Sequence, residues 1–506
     1  MKLSILILAL AVHYTLSAQQ KSIGVFDYTA DVGNPKLKGT TIYDDATQSY
    51  TLKGSGYNVW FNRDEFQYAY KMLTGDFILT ANFELTGKGK NLHRKIGWMV
   101  RASTDDDDAA ISAVVHGDGL TALQWRGSKG AQMRDPEDEI FFAKKNAGII
   151  QLERSGKTLL MRVAGWGEPL QLVGSHTMEN LPDSIPAGIF ISAHDSTAME
   201  EAKVWNVRID KPVTAAYNPD RQGWLGCRLE VVNIADGRRR IIRESPTRFE
   251  APNWMPDGKK LLYNEGGALY TIPLNGGTPV KLDTDTVNRN NNDHGISFDG
   301  RLLAISSQRQ GLPGGGSTVY VLPLAGGKPK LITQQTPSYW HGWNPNNKEV
   351  VLVGQRAGST IYNLYKASIP DGKETQITFN TAGHVDGPEY SPDGKYIYYN
   401  ANPTGTMQIW RMSADGSGKE QMTFDEYNNW FPHLSPDGRW MVFISFPPDI
   451  DPNSHPSYKR VTLRLMRATG GAPKVIAHLY GGQGTINVPS WSPDSKHVAF
   501  VSNSGK

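Results

Sequence analysis

Six times after residue 250 the chain makes the same short reversal, and this repetition limits what it can fold into more than any other feature. The six are Met255-Pro256-Asp257-Gly258, Ser297-Phe298-Asp299-Gly300, Asn344-Pro345-Asn346-Asn347, Ser391-Pro392-Asp393-Gly394, Ser435-Pro436-Asp437-Gly438 and Ser492-Pro493-Asp494-Ser495. Ser297 follows Met255 by 42 residues, and the later steps are 47, 47, 44 and 57. Proline presets φ, aspartate bonds its own backbone and glycine takes a positive φ, so each segment reads as a tight turn. A strand-like run follows (302–305, 396–399, 441–444), then a second (319–322, 409–412, 463–466), then a glycine-rich hairpin such as Asn275-Gly276-Gly277 or Gly470-Gly471. Four-stranded units of this length are propeller blades.

The ends of the repeat region are out of phase. Residues 227–234 with Asp236-Gly237 look like the third strand and hairpin of a blade that lacks its first two. Residues 492–502 supply the first two strands of a blade that lacks its last two. Joining them completes a sixth blade and removes the sheet edges an open array would leave. The expected fold over 223–506 is a six-bladed β-propeller closed by the N- and C-terminal strands of the repeat region. These turns and hairpins resemble the TolB-like propeller repeat, which also occurs in propellers attached to prolyl oligopeptidase-type peptidases. No Gly-x-Ser-x-Gly elbow follows the propeller, so the peptidase activity does not transfer. The α/β domain that precedes the propeller in TolB is replaced here, so its particular envelope partners do not transfer either. An envelope protein partner stays among the expectations.

Residues 19–210 lack that period. They alternate in strand-length runs at 76–85, 96–102, 110–115, 120–126, 148–152, 159–163, 187–193 and 203–209. The order Gly75-Asp76-Phe77, Gly97-Trp98-Met99-Val100-Arg101 and Leu152-Glu153-Arg154-Ser155-Gly156 resembles the concanavalin A-like, laminin G-like superfamily. That resemblance implies a jelly-roll β-sandwich, mostly carbohydrate-binding, over 19–210. Residues 211–222, with Pro212 and Pro219, read as the linker. The chain is thus expected to be all-β, in keeping with 52 glycines, 30 prolines and 10% aromatics.

Lys2, a largely apolar run over 3–12 and Leu16-Ser17-Ala18 read as a signal peptide, residues 1–18, removed on export. No cysteine follows to carry a lipid anchor, and no other apolar run approaches membrane-spanning length. The expected location is periplasmic or extracellular, with no transmembrane segment in the mature chain. Cys227 is the single cysteine and cannot form an internal disulfide. A net charge of +3 with no basic block gives no footprint for nucleic acid.

The innermost strand of each blade leads into its turn, so the segment before it lies at the channel mouth, opposite the Pro-Asp-Gly turns. Counting back three residues from the Ser or Asn of each turn gives Pro252, His294, His341, Pro388, Pro432 and Pro489. Two neighbouring blades thus replace proline with histidine; His433 lies one residue on and His384 nearby. Loops opening on the same face bring Arg309, Arg356 and a long insertion around His455. The candidate ligand-binding residues are His294, Trp340, His341, His384, Asn429, Trp430, His433, Arg309 and Arg356. Imidazoles, amides, guanidinium groups and indoles in one funnel suit an oligosaccharide or polysaccharide. His294, His341 and His433 are also the expected ligands of a divalent metal, if one is held at the mouth.

In the first half, Asp105-Asp106-Asp107-Asp108 reads either as a Ca²⁺ loop or as a solvated turn. Trp60, Phe61, Phe66, Tyr68 and Tyr70 either stack on sugars or, by alternation, are half core. The leading functional expectation is an exported glycan-binding or glycan-processing protein with its ligand at the propeller mouth. A carbohydrate-active enzyme, as a metal-assisted polysaccharide lyase or a glycoside-cleaving enzyme, is the alternative. A periplasmic protein-interaction scaffold is the second.

Overall fold

The computed structural model describes residues 23–133, 139–312 and 314–503. The signal-peptide reading of residues 1–18 lies outside them.

The first half is built from two seven-stranded antiparallel sheets. One runs in the order Tyr28–Val32, Phe66–Thr74, Ser184–Ser192, Lys95–Arg101, Ala110–His116, Thr121–Arg126, Glu139–Phe141. The other runs Gln171–Thr177, Thr158–Ala164, Ile149–Ser155, Phe77–Leu85, Asp195–Asp210, Ser49–Gly56, Thr40–Asp44. Period-two alternation sorts each strand between two faces. Ile96, Trp98 and Val100 join Leu79, Leu152 and Met161 in a core shared by both sheets. Met99, on the opposite face, packs with Phe66, Tyr68 and Phe190. Phe66 and Tyr68 are therefore fully buried core and are not available to stack on a ligand. Of the four aspartates at 105–108, Asp105 and Asp107 share Lys129, and Asp108 accepts from Ser103.

The second half closes as a six-bladed ring. Five four-stranded sheets begin at Glu250–Trp254, Asn290–Ile296, Ser338–Trp343, Val385–Tyr390 and Asn428–Leu434. In the sixth, Cys227–Asn233 pairs antiparallel with His497–Asn503 on one side and Arg239–Ser245 on the other, and Trp491 bridges Val498 at the inner edge. First and last strands of the region thus meet as the phase of the repeats requires. Each of these serine-led turns is closed by its own side chains: the hydroxyl of Ser391 donates to Asp393 at 2.7 Å and accepts from the Tyr396 N–H at 3.0 Å, and Ser297, Ser435 and Ser492 repeat the pattern. Where the repeat lacks glycine, Asn347 and Ser495 take the left-handed position, at φ 58° and 59°. A second repeated device follows the outermost strands. The hydroxyls of Thr333, Thr378 and Thr423 accept from the N–H groups of Val319, Leu364 and Ile409 at 2.8–2.9 Å.

The two halves are docked through a polar interface. The outward face of the second sheet lies against blades five and six. Glu230, fully buried, binds Arg239 of its own blade and Arg208 of the first domain, and accepts from Ser502 on the closing strand. Arg228 reaches Asp210, and Arg460 reaches Glu153. The linker and the residues just after it are held by Tyr480 and Tyr458, whose hydroxyls accept from the N–H groups of Val213 and Leu225. Gln48 pairs its amide with both backbone groups of Ile241, at 2.7 and 2.8 Å. Asn206 does the same two residues away, accepting from Arg239 N–H at 2.7 Å and donating to Gly237 O at 2.9 Å.

Candidate functional site

A line of titratable side chains crosses the channel mouth from blade one to blade four: Glu250, Asp293, His341, Asp386 and His384. All come from the innermost strands or the residue just before them. Those four strands, and the innermost strand of blade five, each carry an irregularity in their pairing close to the mouth: one extra residue at Glu250/Asn253, Trp340/Gly342, Asp386/Glu389 and Trp430/His433, and two at Asn290/His294. Ala251, Gly387 and Phe431 sit in these irregularities at φ 56°, 58° and 55°. A bulge turns the following side chain to a new direction. Phe431 is held in this strained conformation partly by its N–H, which donates to Asn400.

Asp386 is the hub. Its carboxylate lies 3.0 Å from His341 Nε2 and 3.6 Å from His384 Nε2, and accepts from the Gly387 N–H at 2.8 Å. Burial would raise this carboxyl, but His341 and His384 outweigh it and hold it well below the carboxylate range. Burial would likewise lower His341; Asp386 and then Asp293 outweigh it, so the imidazole stays protonated to higher pH than usual. Asp293 has the opposite fate. Burial first, with Asp386 and Glu250 adding repulsion, pushes it up to about 7 against the pull of His341. Glu250 is also raised by burial, although Arg248 beside it opposes this. The mouth therefore holds one firmly ionised carboxylate and one carboxyl that is half protonated near neutrality.

Aromatic faces surround this line. The His341 ring stacks on Phe431 at 6.2 Å and 15°. Trp430 touches His384, Phe431 and His455, with the closest ring separation 4.5 Å. Tyr362 meets His384 at 5.3 Å and lies beside Tyr339. The long insertion thus brings His455 to the mouth, as its length suggested.

The nine residues singled out in the sequence divide into two groups. His341, His384 and Trp430 come together at Asp386. Five of the remaining six take structural roles. Trp340 is fully buried against Gly295, where a Cβ would come within 2.0 Å of the indole, and it seals blade two to blade three. His294 is fully buried beside the Asn292 and Ala251 backbone, and burial pushes it down to about 3. His433 bonds Glu389 at 2.6 Å and Ile486 O at 2.8 Å, using both ring nitrogens to tie three blades together. Asn429 contacts Gln408, Thr423, Asp425 and Ser445. Arg356 binds Glu374, Pro337 O and Ser338 under Tyr365. Arg309 stands on the loop closed by its N–H bond to Gly316 O. His294, His341 and His433 do not form one ligand set, and among the described residues no group of three or more His, Cys, Asp and Glu side chains is arranged to hold a metal ion.

A groove of about 1100 Å³ runs outward from Glu250 between blades one and two. Among the described residues no helix is long and apolar enough to cross a membrane.

The family profile for the TolB beta propeller domain matches residues 340–451. An uncharacterised protein of Agrobacterium fabrum is 45% identical over 280 residues, which is 55% of this chain and 93% of that one. The Tol-Pal system protein TolB of Francisella tularensis is 23% identical over 272 residues, 52% of this chain and 59% of its own length. Among solved structures, a TolB candidate from Agrobacterium tumefaciens shares 45% identity, covering 55% of this chain and 98% of that one, with a TM-score of 0.52. With 45% identity spanning almost the whole length of the two Agrobacterium relatives, and the profile match within the propeller, the chain belongs to the TolB-like β-propeller family.

Proposed function

We propose that this is an exported envelope protein that binds a neutral or amino-bearing oligosaccharide at the propeller mouth. The observation that carries the reading is the setting of Asp386: an ionised carboxylate flanked by two imidazoles and walled by Phe431, Trp430, Tyr339 and Tyr362. Carboxylates and imidazoles accept and donate to sugar hydroxyls, and aromatic faces cover the apolar faces of sugar rings. Three carboxyl groups in one mouth disfavour uronates, since an added anion would meet Asp386 and would have to keep Asp293 and Glu250 protonated. In the same reading the two large sheets of the first half form a concanavalin A-like jelly roll that presents a second sugar-binding surface.

Calorimetric titration with cellotetraose, chitin tetraose and tetragalacturonate tests this. Binding of either neutral sugar, lost in Asp386→Asn and His384→Ala, is expected; a preference for tetragalacturonate would refute it. If the bound sugar is turned over, glycoside cleavage is the enzymatic version that the opposed charge states of two carboxyls suit. A protonated Asp293 and an ionised Asp386 are the pair that reaction uses. The scaffold reading has one observation of its own. Phe379 and Phe424 follow equivalent outer strands of neighbouring blades and are 72% and 78% exposed, a pattern suited to a protein partner such as the name Tol-Pal implies for the relatives.

A further inference from the structure

The groove beside Glu250 differs in character from the mouth it leaves. Apart from Ala268, Tyr270 and glycines, its walls are polar side chains, with Asn288, Arg289, Asn291, Asn292 and Gln308 along one side. Amides both donate and accept, so a row of them matches the alternating donors and acceptors of sugar hydroxyls without imposing a charge. Arg289, Gln308, Asn288 and Lys281 stand exposed, whereas the amides beneath them are committed to the frame. Asn264 donates to the carbonyls of Asn290 and Asn291 at 3.0 and 2.6 Å, and Asn290 donates to Gly267 O through both its backbone and its side chain. Gly267, at φ 82°, would place a Cβ 2.8 Å from Asn288 O, so glycine is what allows the hairpin to press this close. The floor is preformed, and the polar groups above it are left for a ligand.

Charge also changes along the path. The mouth is acidic, through Glu250, Asp293 and Asp386, while the groove adds the exposed cations Arg289 and Lys281. A compact ligand would use one region only. A linear one, entering lengthwise, would use both.

We propose that the groove between blades one and two is an extended subsite for the second and later units of a linear oligosaccharide whose terminal unit sits in the mouth. This rests on the mouth being a sugar site. With the terminal unit in the mouth and later units running outward past Glu250, the protein would then recognise chain ends, not internal stretches.

Calorimetry with glucose and cellotetraose, and with N-acetylglucosamine and chitin tetraose, on the whole protein separates the two claims. Within at least one pair the tetramer should bind 10-fold or more tighter than the monomer. The double variant Arg289→Ala/Gln308→Ala, whose side chains are exposed and leave the core intact, should bring the tetramer down to the monomer's affinity while the monomer is unaffected. Asp386→Asn should weaken both. Equal affinity for monomer and tetramer, or a double variant that still prefers the tetramer, overturns the groove and leaves the mouth standing. If neither length binds, the mouth reading falls and the groove with it.

Discussion

Replacing Glu230 with alanine should cost this protein a large part of its stability, because Glu230 is the one anion between two buried cations. Arg208 and Arg239 are 5% and 4% exposed at the side chain, and each sends two N–H groups to the carboxylate at 2.6–3.1 Å. Burial alone would raise the Glu230 carboxyl; the two guanidinium groups hold it far below the usual range. Removing one partner of a buried pair typically costs 3–5 kcal/mol, because the survivor is stranded without water. Here two survivors face each other, so Glu230→Ala should fall at the upper end, about 5 kcal/mol. That is a sizeable share of the 5–15 kcal/mol typical of a folded domain. The triple variant Arg208→Met/Glu230→Leu/Arg239→Met removes the charges together and should recover most of the loss. Urea unfolding followed by tryptophan fluorescence at pH 7.5 reads both. An unchanged midpoint in Glu230→Ala, or a triple variant no better than the single one, would show that the network does not hold the halves together.

Two further outcomes follow from the packing and the mouth. Phe500→Ala, on the closing strand and fully buried with Val232, Val498 and Trp491, should cost about 3–5 kcal/mol in the same unfolding assay. Phe424→Ala, at 78% exposure, should stay within about 0.5 kcal/mol, and similar losses in both would contradict the closure. Asp293 carries a folded pKa of about 7, against 3.8 when exposed, so its contribution is favourable at low pH and is lost as pH rises toward 7. Asp293→Asn should therefore raise the melting temperature more at pH 8 than at pH 4, and an equal effect at both would refute the assignment.

Blade count and ring closure were legible in the sequence because turn chemistry is local. A proline, an aspartate and a glycine in order can close a turn with their own groups, as the Ser391 turn shows. The mouth was legible only in part. Counting back from each turn assumes an unbroken alternation, and every innermost strand from 250 to 434 breaks it with an irregularity near the mouth. Hence His433 turns into the wall between blades while Asp293 and Asp386, passed over in the count, face the centre. The threonines at 333, 378 and 423 could have been found, since Ile332-Thr333, Ile377-Thr378 and Met422-Thr423 recur at blade spacing. The docking of the two halves could not. Gln48 and Asn206 are amides at φ 50° and 55°, and nothing local to either announces a partner nearly 200 and about 30 residues away.

Those two amides bear on how the protein is made. The outer strands of blades one to four are two or three residues long, too short to recruit another strand. Arg239–Ser245 is seven residues long and carries Ile241 and Ile242 at its centre. Left bare, such an edge is a template for a neighbouring chain. Asn206 and Gln48 occupy its outward N–H groups at Arg239 and Ile241, standing in for a strand that is not there. Synthesis runs from the N-terminus, and domains generally fold as they emerge. The guard can therefore form before the chain has emerged as far as the edge it covers, and the ring, which cannot close until residue 503 is out, waits with this seven-residue flank already shielded.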